Sequence, residues 1–357
     1  MSFERDNIRR MSGYAAGEQP DDAETLKLNT NENPYPPSNA VTRVLQDFDP
    51  LHLRRYPPPT ALRFRQLAAS LHNLHEDNVI ATRGGDELLR LVITTFVDPH
   101  QPIGMTNPTY SLYPVLAQIQ DCPLIEVDLD ENWQMPPDFA QQMNNAGVKL
   151  TLLVNPHAPS GELLALTEVE RLAGELDSIL LLDEAYIDFV DQEYDSTTLI
   201  DRFDNLVILR TLSKGYSLAG LRFGYGLSAA SLIEPMLTKT RDSYNLDLIS
   251  QQIAEAALSD QVTARENWRR VIEERTRMRD RLAEMGMPSP MSQTNFLLVD
   301  VPESAGAERV YKMLKEKHIL VRYFSSPRLA DKLRITIGTR AENERLETTL
   351  REILEKH

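Results

Sequence analysis

Short apolar runs alternate with helix-like or polar stretches through the middle of the chain. Four of them stand out, at 102 to 106 ("PIGMT"), 150 to 154 ("LTLLV"), 179 to 182 ("ILLL") and 206 to 209 ("LVIL"). Continuous apolar runs that alternate with helices are typical of parallel strands buried on both faces of a sheet. The pattern therefore predicts an α/β fold in which helices flank a mostly parallel central sheet.

The pattern changes beyond residue 240. The charged amphipathic segment 264 to 286 predicts a long helix that ends at Gly286, because glycine is a natural helix terminator. Strand-like and helix-like segments then alternate at 295 to 301, 307 to 318, 319 to 324 and 333 to 338, with a last helix from Ala341. We expect an N-terminal arm (1 to 39) that joins the small domain, a large domain (40 to 240) and a small α+β domain (241 to 357).

Polar and aromatic residues follow each of the four apolar runs. These are Asn107 to Tyr110 after the first run, Asn155 and Pro156 after the second, Asp183 to Tyr186 after the third, and Arg210 to Lys214 after the fourth. In an open parallel sheet the ligand crevice lies outside the carboxyl ends of the strands. The four runs should therefore bring an aromatic ring, an amide, a carboxylate with a phenol, and an amine to one edge.

The segment 82 to 96 ("TRGGDELLRLVITTF") indicates an anion site. Two glycines precede Asp86, and apolar residues then recur at helical spacing. Glycines at a helix entrance allow a close backbone approach, and the exposed N–H groups and helix dipole suit an anion. Such a pair is by itself more often a plain turn with an aspartate near the N-cap. Ser213 and Arg222, expected near the same strand edge, strengthen the anion interpretation because they could donate charge-assisted hydrogen bonds.

Lys214 is the candidate nucleophile. A single lysine is usually a solvated surface charge, but this one follows a predicted buried strand and should face Asp183, Asn155 and Tyr110 across the crevice. An amine in that position is expected to form a Schiff base, which is the main route by which lysine does covalent catalysis. Pyridoxal phosphate is the cofactor that needs this whole set: a lysine, an acid partner for its ring nitrogen, donors to its ring oxygen, a stacked aromatic and an anion cradle.

Composition excludes several other classes of protein. A net charge of -15 over 357 residues argues against a nucleic-acid-binding surface. The one cysteine, Cys122, cannot form an intrachain disulfide, and the start of the chain lacks the apolar run of a signal peptide. The longest apolar stretches are too short to cross a bilayer. The seven histidines include no pair at the spacing of metal ligands. We therefore expect a cytoplasmic protein with no membrane, nucleic-acid or metal partner.

The motifs resemble a known family. "NPHAPSG" (155 to 161), "DEAY" (183 to 186) and "TLSKGYSLAGLRFGYG" (211 to 226) are similar to those of the class I and II aminotransferases, which are pyridoxal-phosphate enzymes of fold type I. "LKLNTNENPYPPS" (26 to 38), "RYPPPT" (55 to 60), "TRGGDE" (82 to 87) and "LRITIGTRAEN" (333 to 343) resemble the histidinol-phosphate branch of that family. The resemblance covers essentially the whole chain.

The resemblance implies a role for each cofactor-site residue. Lys214 would hold pyridoxal 5'-phosphate covalently and then move the proton between substrate and cofactor, while Asp183 would pair with the pyridinium nitrogen. Asn155 and Tyr186 would hydrogen-bond the ring oxygen, and Tyr110 would stack on the ring. The cofactor phosphate would be held by the backbone of Gly85 and Asp86 and by the side chains of Thr211, Ser213 and Arg222.

The same resemblance implies a substrate site and an assembly. Arg334 and Arg322 would bind the phosphate of histidinol phosphate, since two converging arginines suit a dianion, with Tyr14 as a hydroxyl donor and Asn33 lining the pocket. The amino group would pass between histidinol phosphate and 2-oxoglutarate, giving imidazole acetol phosphate and glutamate, in histidine biosynthesis. Tyr56 would reach the cofactor phosphate from the neighbouring subunit of a homodimer. Glu32 has no role that the sequence suggests.

Alternatives remain open at this point. An aromatic amino-acid aminotransferase or a threonine-phosphate decarboxylase would share the scaffold and nearly the same cofactor residues. A non-enzymatic effector domain of a transcription regulator is disfavoured, because the chain starts almost directly at the catalytic fold without room for a helix-turn-helix. The chain also departs from the family pattern: His157 and Ala158 replace two asparagines of the usual "NPNNPTG", which leaves the hydrogen bonds of that loop open, and "GYAAGEQ" has alanine where proline is common.

Overall fold

The computed structural model describes residues 2–22 and 24–355. The strands, β1 to β12, are Leu26–Lys27, Val79–Thr82, Ile103–Asn107, Leu124–Asp128, Leu150–Val154, Ile179–Asp183, Leu206–Thr211, Gly224–Ser228, Phe296–Asp300, Ile319–Leu320, Arg322–Tyr323 and Lys332–Thr336. The α-helices, α1 to α12, are Asp6–Arg10, Asn39–Asp47, Leu62–Leu71, Gly84–Phe96, Leu112–Gln120, Phe139–Asn145, Leu166–Glu175, Ala230–Pro235, Leu248–Ser259, Gln261–Glu284, Ala307–Glu316 and Arg340–Leu354. Short 3₁₀ turns lie at Pro50–Arg54, Glu76–Asn78, Ile187–Phe189, Ser196–Leu199 and Ala219–Leu221, and Met236–Thr240 is a π-helical turn.

A seven-stranded sheet forms the centre of the larger unit. Its strand order is β2-β8-β7-β6-β5-β3-β4. Strands β3 to β7 run parallel, while β8 is antiparallel to both β7 and β2. The four predicted runs are β3, β5, β6 and β7, and β5 has the predicted bounds. The predicted α/β fold with a mostly parallel central sheet is confirmed.

Both faces of this sheet are covered, which explains the unbroken apolar runs. The side chains of β5 alternate between two hydrophobic clusters, with Leu153 in one and Leu152 in the other. On the first face Phe64 packs against Phe223, with ring centroids 4.6 Å apart. A strand that is buried on both faces has few positions for a polar side chain until it ends, and Thr151 inside β5 is bonded to the Ser178 hydroxyl at 2.8 Å. The candidate reactive side chains therefore lie at or beyond the strand ends.

A second unit is built on the antiparallel sheet β11-β12-β9. Helices α10, α11 and α12 pack with it around one apolar cluster, which also contains Leu26 and Leu28 of the N-terminal arm. Strand β1 of the arm pairs in parallel with β10. Helix α10 starts at Gln261, earlier than the predicted residue 264, because the Asp260 side chain caps it by accepting from the Thr263 N–H.

The division of the chain at 39/40 and 240/241 stays a prediction. Helix α9, which begins shortly after the second of these boundaries, packs against α2 and α3 of the larger unit. Helix α10 packs against β9 and α12 of the smaller unit. Within the described residues, none of the helices has both the length and the apolar character that a bilayer span requires.

Candidate active site

A cavity of about 570 Å³ opens where the large sheet, the small unit and the N-terminal arm meet. Its walls bring together most of the residues that the sequence singled out: Tyr14, Gly85, Asp86, Tyr110, Asp183, Tyr186, Thr211, Ser213, Lys214, Arg222, Arg322 and Arg334. A larger but more open groove of about 860 Å³ lies between α1 and α5 and contains none of these side chains. The chemistry is therefore concentrated in the first cavity.

Lys214 lies just beyond the end of β7 with its amine inside the cavity. Its Nζ donates a hydrogen bond of 2.9 Å to the carbonyl oxygen of Thr30 in the arm. The pKa of Lys214 is lowered to about 8, mainly by burial and also by the nearby positive charge of Arg334, while Glu32 acts in the opposite direction. An amine with this pKa is neutral in a large fraction of molecules near pH 8, so it can act as a nucleophile and a base.

Asp183 is the last residue of β6 and is buried. The Tyr113 hydroxyl donates to its Oδ2 at 2.9 Å, and the Ala185 N–H donates to its Oδ1 at 3.1 Å. Burial raises the pKa of Asp183 to about 6, and these two hydrogen bonds limit the rise. The carboxyl group is therefore mostly ionised at neutral pH. Tyr113 was missed by the sequence reasoning, although it lies only three residues after Tyr110, in the first turn of α5.

Tyr186 is held by a residue of the arm that the sequence reasoning also missed. The Asn31 side-chain amide donates to the Tyr186 hydroxyl oxygen at 3.0 Å. Asn31 is itself fixed, because its Oδ1 accepts from the Thr336 hydroxyl at 3.2 Å and its backbone has a left-handed φ of 57°. Since Asn31 occupies an acceptor position on Tyr186, the phenolic proton stays available for an acceptor in the cavity. The quoted motif "LNTNENP" contains Asn31 but does not reveal this contact.

Glu32 closes the turn that carries these contacts. Its carboxylate pairs with the Lys27 ammonium at 2.5 Å, and the same ammonium donates to the Thr30 hydroxyl at 2.8 Å. Two residues between Lys27 and Glu32 contact groups of the cavity through their carbonyl oxygens. Thr30 accepts from Lys214, and Asn29 accepts from Arg334 at 3.1 Å. Glu32 thus has a structural explanation that the sequence alone did not provide.

An anion cradle forms at the start of α4. Gly84 has a φ of +76°, and a Cβ there would come within 2.8 Å of the Arg222 guanidinium. The first N–H groups of a helix have no partner within the helix, so they are available to an anion. The Ser213 hydroxyl oxygen accepts from Arg222 at 3.3 Å and from Thr211 at 3.0 Å. Arg222 also pairs with the Asp86 carboxylate at 3.3 Å.

Tyr110 forms part of the cavity wall at the end of β3. Its ring meets the Tyr113 ring edge to face, with centroids 5.5 Å apart, and approaches the Tyr14 ring at 6.2 Å. Burial raises the pKa of Tyr110, so its hydroxyl stays protonated at every pH at which the fold is expected to persist. The ring is a neutral aromatic surface beside the lysine and the aspartate.

Two arginines face each other at the small-unit side of the cavity. Arg322 and Arg334 are directly opposite in the β11–β12 pair, and their guanidinium groups lie 5.3 and 5.5 Å from the Phe324 ring centroid. Within the described residues neither forms an ion pair, and the buried Nε of Arg334 has no hydrogen-bond partner. Burial lowers the pKa of Arg334, and the charge of Arg322 lowers it further. Like charges directly opposite are destabilising, so this pair is suited to an added anion.

Three predicted residues lie outside the cavity. The Asn155 amide donates to the Tyr194 hydroxyl at 2.7 Å and to the Leu164 carbonyl at 3.4 Å, so both of its hydrogens are in use. Asn33 donates to the Gly215 carbonyl at 3.2 Å, next to the lysine. Tyr56 is 81% exposed, and its ring stacks on Tyr244 at 4.5 Å. The roles expected for these three stay predictions.

The residues present fit pyridoxal phosphate. A cofactor of that kind needs an amine, a carboxylate for its ring nitrogen and an anion cradle, and Lys214, Asp183 and the start of α4 supply them around one cavity. The glycine at 84 leaves space beside Arg222 that any side chain would fill. A cavity of about 570 Å³ lies within the usual size range of small-molecule sites.

The comparisons with known proteins agree with this arrangement. The chain superposes on the crystal structure of histidinol-phosphate aminotransferase from Sinorhizobium meliloti in complex with pyridoxal-5'-phosphate with a TM-score of 0.90, at 23% identity, over 100% of this chain and 98% of that one. The L-threonine-O-3-phosphate decarboxylase of Porphyromonas gingivalis gives a TM-score of 0.80 at 21% identity, over 92% and 99%. At these identities the likeness shows the fold, which is that of the fold type I transferases.

Sequence relatives define the family. The aminotransferase class I and II family matches residues 23–350, and this chain belongs to that family. Histidinol-phosphate aminotransferase 1 of Trichormus variabilis is 39% identical over 99% of both chains. The histidinol-phosphate aminotransferase of Geotalea daltonii is 40% identical over 98% of this chain and 99% of its own. The family predicted from the motifs is confirmed.

Proposed function

We propose that this protein is a pyridoxal-phosphate-dependent aminotransferase that acts on histidinol phosphate. It moves the amino group to 2-oxoglutarate, giving imidazole acetol phosphate and glutamate, as a step of histidine biosynthesis. The full-length relatives from Trichormus variabilis and Geotalea daltonii carry the name histidinol-phosphate aminotransferase, and each aligns with 99% of its own length. Their names support the substrate, and the residues of the cavity support the chemistry.

The facing pair of Arg322 and Arg334 is the observation that carries the substrate assignment. Among the residues that the structure describes, these two guanidinium groups have no carboxylate partner, and they lie on adjacent strands beside the catalytic amine, so they form a site for a doubly charged group. A monocarboxylate would neutralise only one of the two charges. The phosphate of histidinol phosphate neutralises both, and the Tyr14 hydroxyl in the same cavity adds a neutral donor.

Lys214 performs the covalent and proton-transfer steps. When bound, pyridoxal phosphate supplies an aldehyde for amines and a ring that accepts the electron pair left when the substrate C–H bond breaks. Lys214 would hold that aldehyde through its amine, with loss of water, and as a free amine it would be the base that takes the proton from the substrate carbon. The lowered pKa of Lys214, about 8, keeps enough neutral amine for both tasks.

Asp183 and Tyr186 control where charge and protons lie on the cofactor. Asp183 accepts from Tyr113 and Ala185, which leaves its remaining lone pairs for the N–H of a protonated ring nitrogen. Tyr186 accepts from Asn31 and so donates its own proton to the ring oxygen. Asn155 would assist at that oxygen only after its amide leaves Tyr194.

The start of α4 holds the cofactor phosphate. The N–H groups of Gly85 and Asp86 point out of the helix terminus, and the Thr211, Ser213 and Arg222 side chains complete the cradle. The Asp86 carboxylate, which pairs with Arg222 at 3.3 Å, would remain beside the incoming phosphate, so its backbone rather than its side chain serves the anion.

A homodimer completes the site in this proposal. Exposed apolar side chains are concentrated in the segment 45–62 and at Tyr244, which stacks on Tyr56. They are Leu45, Leu51, Leu53, Tyr56, Leu62 and Tyr244. A concentration of this kind is typical of a surface that is covered in an oligomer. Tyr56 belongs to it, which supports the role of Tyr56 as a donor to the partner's cofactor phosphate.

Mixed dimers test the shared site. Variants Y56A and K214A should each be inactive or nearly so, and dimers formed by unfolding and refolding them together should regain activity, because one of the two sites then contains both native residues. No recovery in proven mixed dimers would place Tyr56 in the same subunit as its lysine or outside the site.

Substrate competition tests the assignment as a whole. We expect kcat/KM for histidinol phosphate to exceed that for phenylalanine and for threonine phosphate by at least about a hundredfold, because only histidinol phosphate matches both the arginine pair and the transferred amine. A preference for phenylalanine would indicate an aromatic aminotransferase. Release of carbon dioxide from threonine phosphate would indicate a decarboxylase, which the fold also accommodates.

A further inference from the structure

His157 lies in the loop after β5, at a position where the chain departs from the usual motif of its family. The side chain is buried, with 8% of the residue exposed. Its two ring nitrogens are both engaged: Nδ1 is 2.7 Å from the Ser160 hydroxyl and Nε2 is 2.9 Å from the Pro108 carbonyl oxygen. The loop hydrogen bonds that the sequence left open are therefore made by the imidazole itself.

The partners of His157 fix its tautomer. A carbonyl oxygen can only accept, so Nε2 carries the proton and donates it to Pro108. Nδ1 then accepts from the Ser160 hydroxyl, whose oxygen in turn accepts from the Glu162 N–H at 3.2 Å. Burial lowers the pKa of His157 to about 4, so the neutral ring with this tautomer persists across the physiological range.

The Pro108 end of this link belongs to the cavity. Pro108 connects the end of β3 to Tyr110, and both residues line the cavity, as does Ala158 next to the histidine. The Nε2–H bond therefore ties two neighbouring strand-end loops together on one wall. Besides this bond, the segment 108–110 is held by the Tyr113 N–H, which donates to the Tyr110 carbonyl oxygen at 3.1 Å, and by the packing of Tyr110 on Tyr113 and Tyr14.

The opposite side of the imidazole is covered. The Trp133 ring lies 6.2 Å from the His157 ring, and the Arg328 guanidinium lies 4.3 Å above Trp133. Arg328 comes from the small unit and also donates to the carbonyl oxygens of Leu129 and Asp130. The imidazole is thus packed beside Trp133, and Arg328 of the small unit holds Trp133 in turn, so the ring has little freedom to leave Pro108.

We propose that His157 is a positioning residue for Tyr110: its Nε2–H holds the Pro108 carbonyl and so fixes the 108–110 segment against which the cofactor ring lies. The role of Tyr110 beside the cofactor rests on the proposed function, whereas the hydrogen bond and its effect on the segment do not.

Two substitutions separate the bond from the packing. H157F keeps a planar ring but removes both hydrogen bonds, whereas H157Q places an amide nitrogen the same number of bonds from Cβ as Nε2 and can still donate to Pro108. H72F is the matched control, since His72 is a half-buried histidine bonded to the Tyr225 hydroxyl at 3.0 Å and outside the cavity lining. Each variant is compared with the wild type for melting temperature, amide hydrogen exchange of residues 109 to 113 without cofactor, and affinity for pyridoxal phosphate. This range includes the Tyr113 N–H, which donates to the Tyr110 carbonyl oxygen.

The proposal predicts a distinct result for each variant. H157F should raise the exchange rate of residues 109 to 113 and weaken pyridoxal phosphate binding, each about tenfold, because of the two bonds that it removes only the one to Pro108 holds this segment. H157Q should restore most of both, and H72F should lower the melting temperature while changing neither. Wild-type exchange and affinity in H157F, or an H157Q variant as impaired as H157F, would overturn the proposal. A wild-type protein that binds no pyridoxal phosphate would refute the proposed function, and the exchange data would still decide the role of the bond.

Discussion

Replacing Arg322 by methionine should change stability and catalysis in opposite directions. Arg322 faces Arg334 across the β11–β12 pair, and within the described residues neither has a carboxylate partner. Two like charges directly opposite on a sheet cost about 0.2–1 kcal/mol. R322M removes that repulsion and keeps an apolar contact with Phe324, so the cofactor-free protein should be unchanged or slightly more stable.

The catalytic loss is much larger in the same variant. A hydrogen bond to a charged group contributes about 1.5–3 kcal/mol, so losing the Arg322 bond to the substrate phosphate should lower kcat/KM for histidinol phosphate by roughly 10- to 150-fold. Phenylalanine has no phosphate, so its kcat/KM should fall by less than about threefold. A threefold loss corresponds to less free energy than a hydrogen bond to a charged group contributes.

Urea unfolding and steady-state kinetics on the two amines measure these effects. R270M is the matched control, because Arg270 stacks on the Tyr35 ring at 3.7 Å outside the cavity and should change neither substrate. Equal losses on histidinol phosphate and phenylalanine would show that Arg322 supports the fold of the site rather than the phosphate. A marked loss of stability in the cofactor-free variant would refute the argument that the arginine pair is strained.

Three further predictions follow from the buried groups. K214A should abolish turnover and leave the melting temperature of the cofactor-free protein near that of the wild type, and retained turnover would remove the covalent role of Lys214. In the wild type, the rate at which pyridoxal phosphate binds covalently can be measured by trapping the product with borohydride. This rate should rise about tenfold per pH unit and level off near pH 8, because the neutral amine is the nucleophile and the pKa of Lys214 is about 8. A rate that still rises at pH 10 would contradict that pKa. Burial lowers the pKa of His72 to about 3, so below pH 6.5 the unfolded chain takes up a proton that the folded chain does not. As the pH falls, the free energy of unfolding of the wild type, measured in urea, should decrease relative to that of H72F by about 1.4 kcal/mol per pH unit. Parallel pH profiles of the two proteins would contradict the burial argument.

The sequence carried most of the information about the sheet and the candidate groups at its edge. Strands β3, β5, β6 and β7 are buried on both faces, so their sequences are mostly apolar and the candidate site residues follow where they end. Position at a strand end is thus enough to bring Tyr110, Asp183 and Lys214 to one cavity.

The contacts of the N-terminal arm and the orientation of individual side chains could not be predicted from position at a strand end. Asn31 reaches Tyr186 only because β1 pairs with β10 and carries the arm across the cavity, which no local pattern encodes. Asn155 follows a strand as expected, yet its amide is taken by Tyr194, 39 residues further along the chain. Strand register places a backbone, whereas the direction of a side-chain amide depends on partners that come from distant segments.

A single-turnover reaction tests the central claim most directly. Purified protein loaded with pyridoxal phosphate is mixed with histidinol phosphate in the absence of any keto acid, the visible absorbance is followed, and the product is identified by mass. We expect rapid loss of the lysine-bound cofactor absorbance, with one imidazole acetol phosphate formed per site and K214A inert. An unchanged spectrum with histidinol phosphate, or equal conversion of phenylalanine, would contradict it.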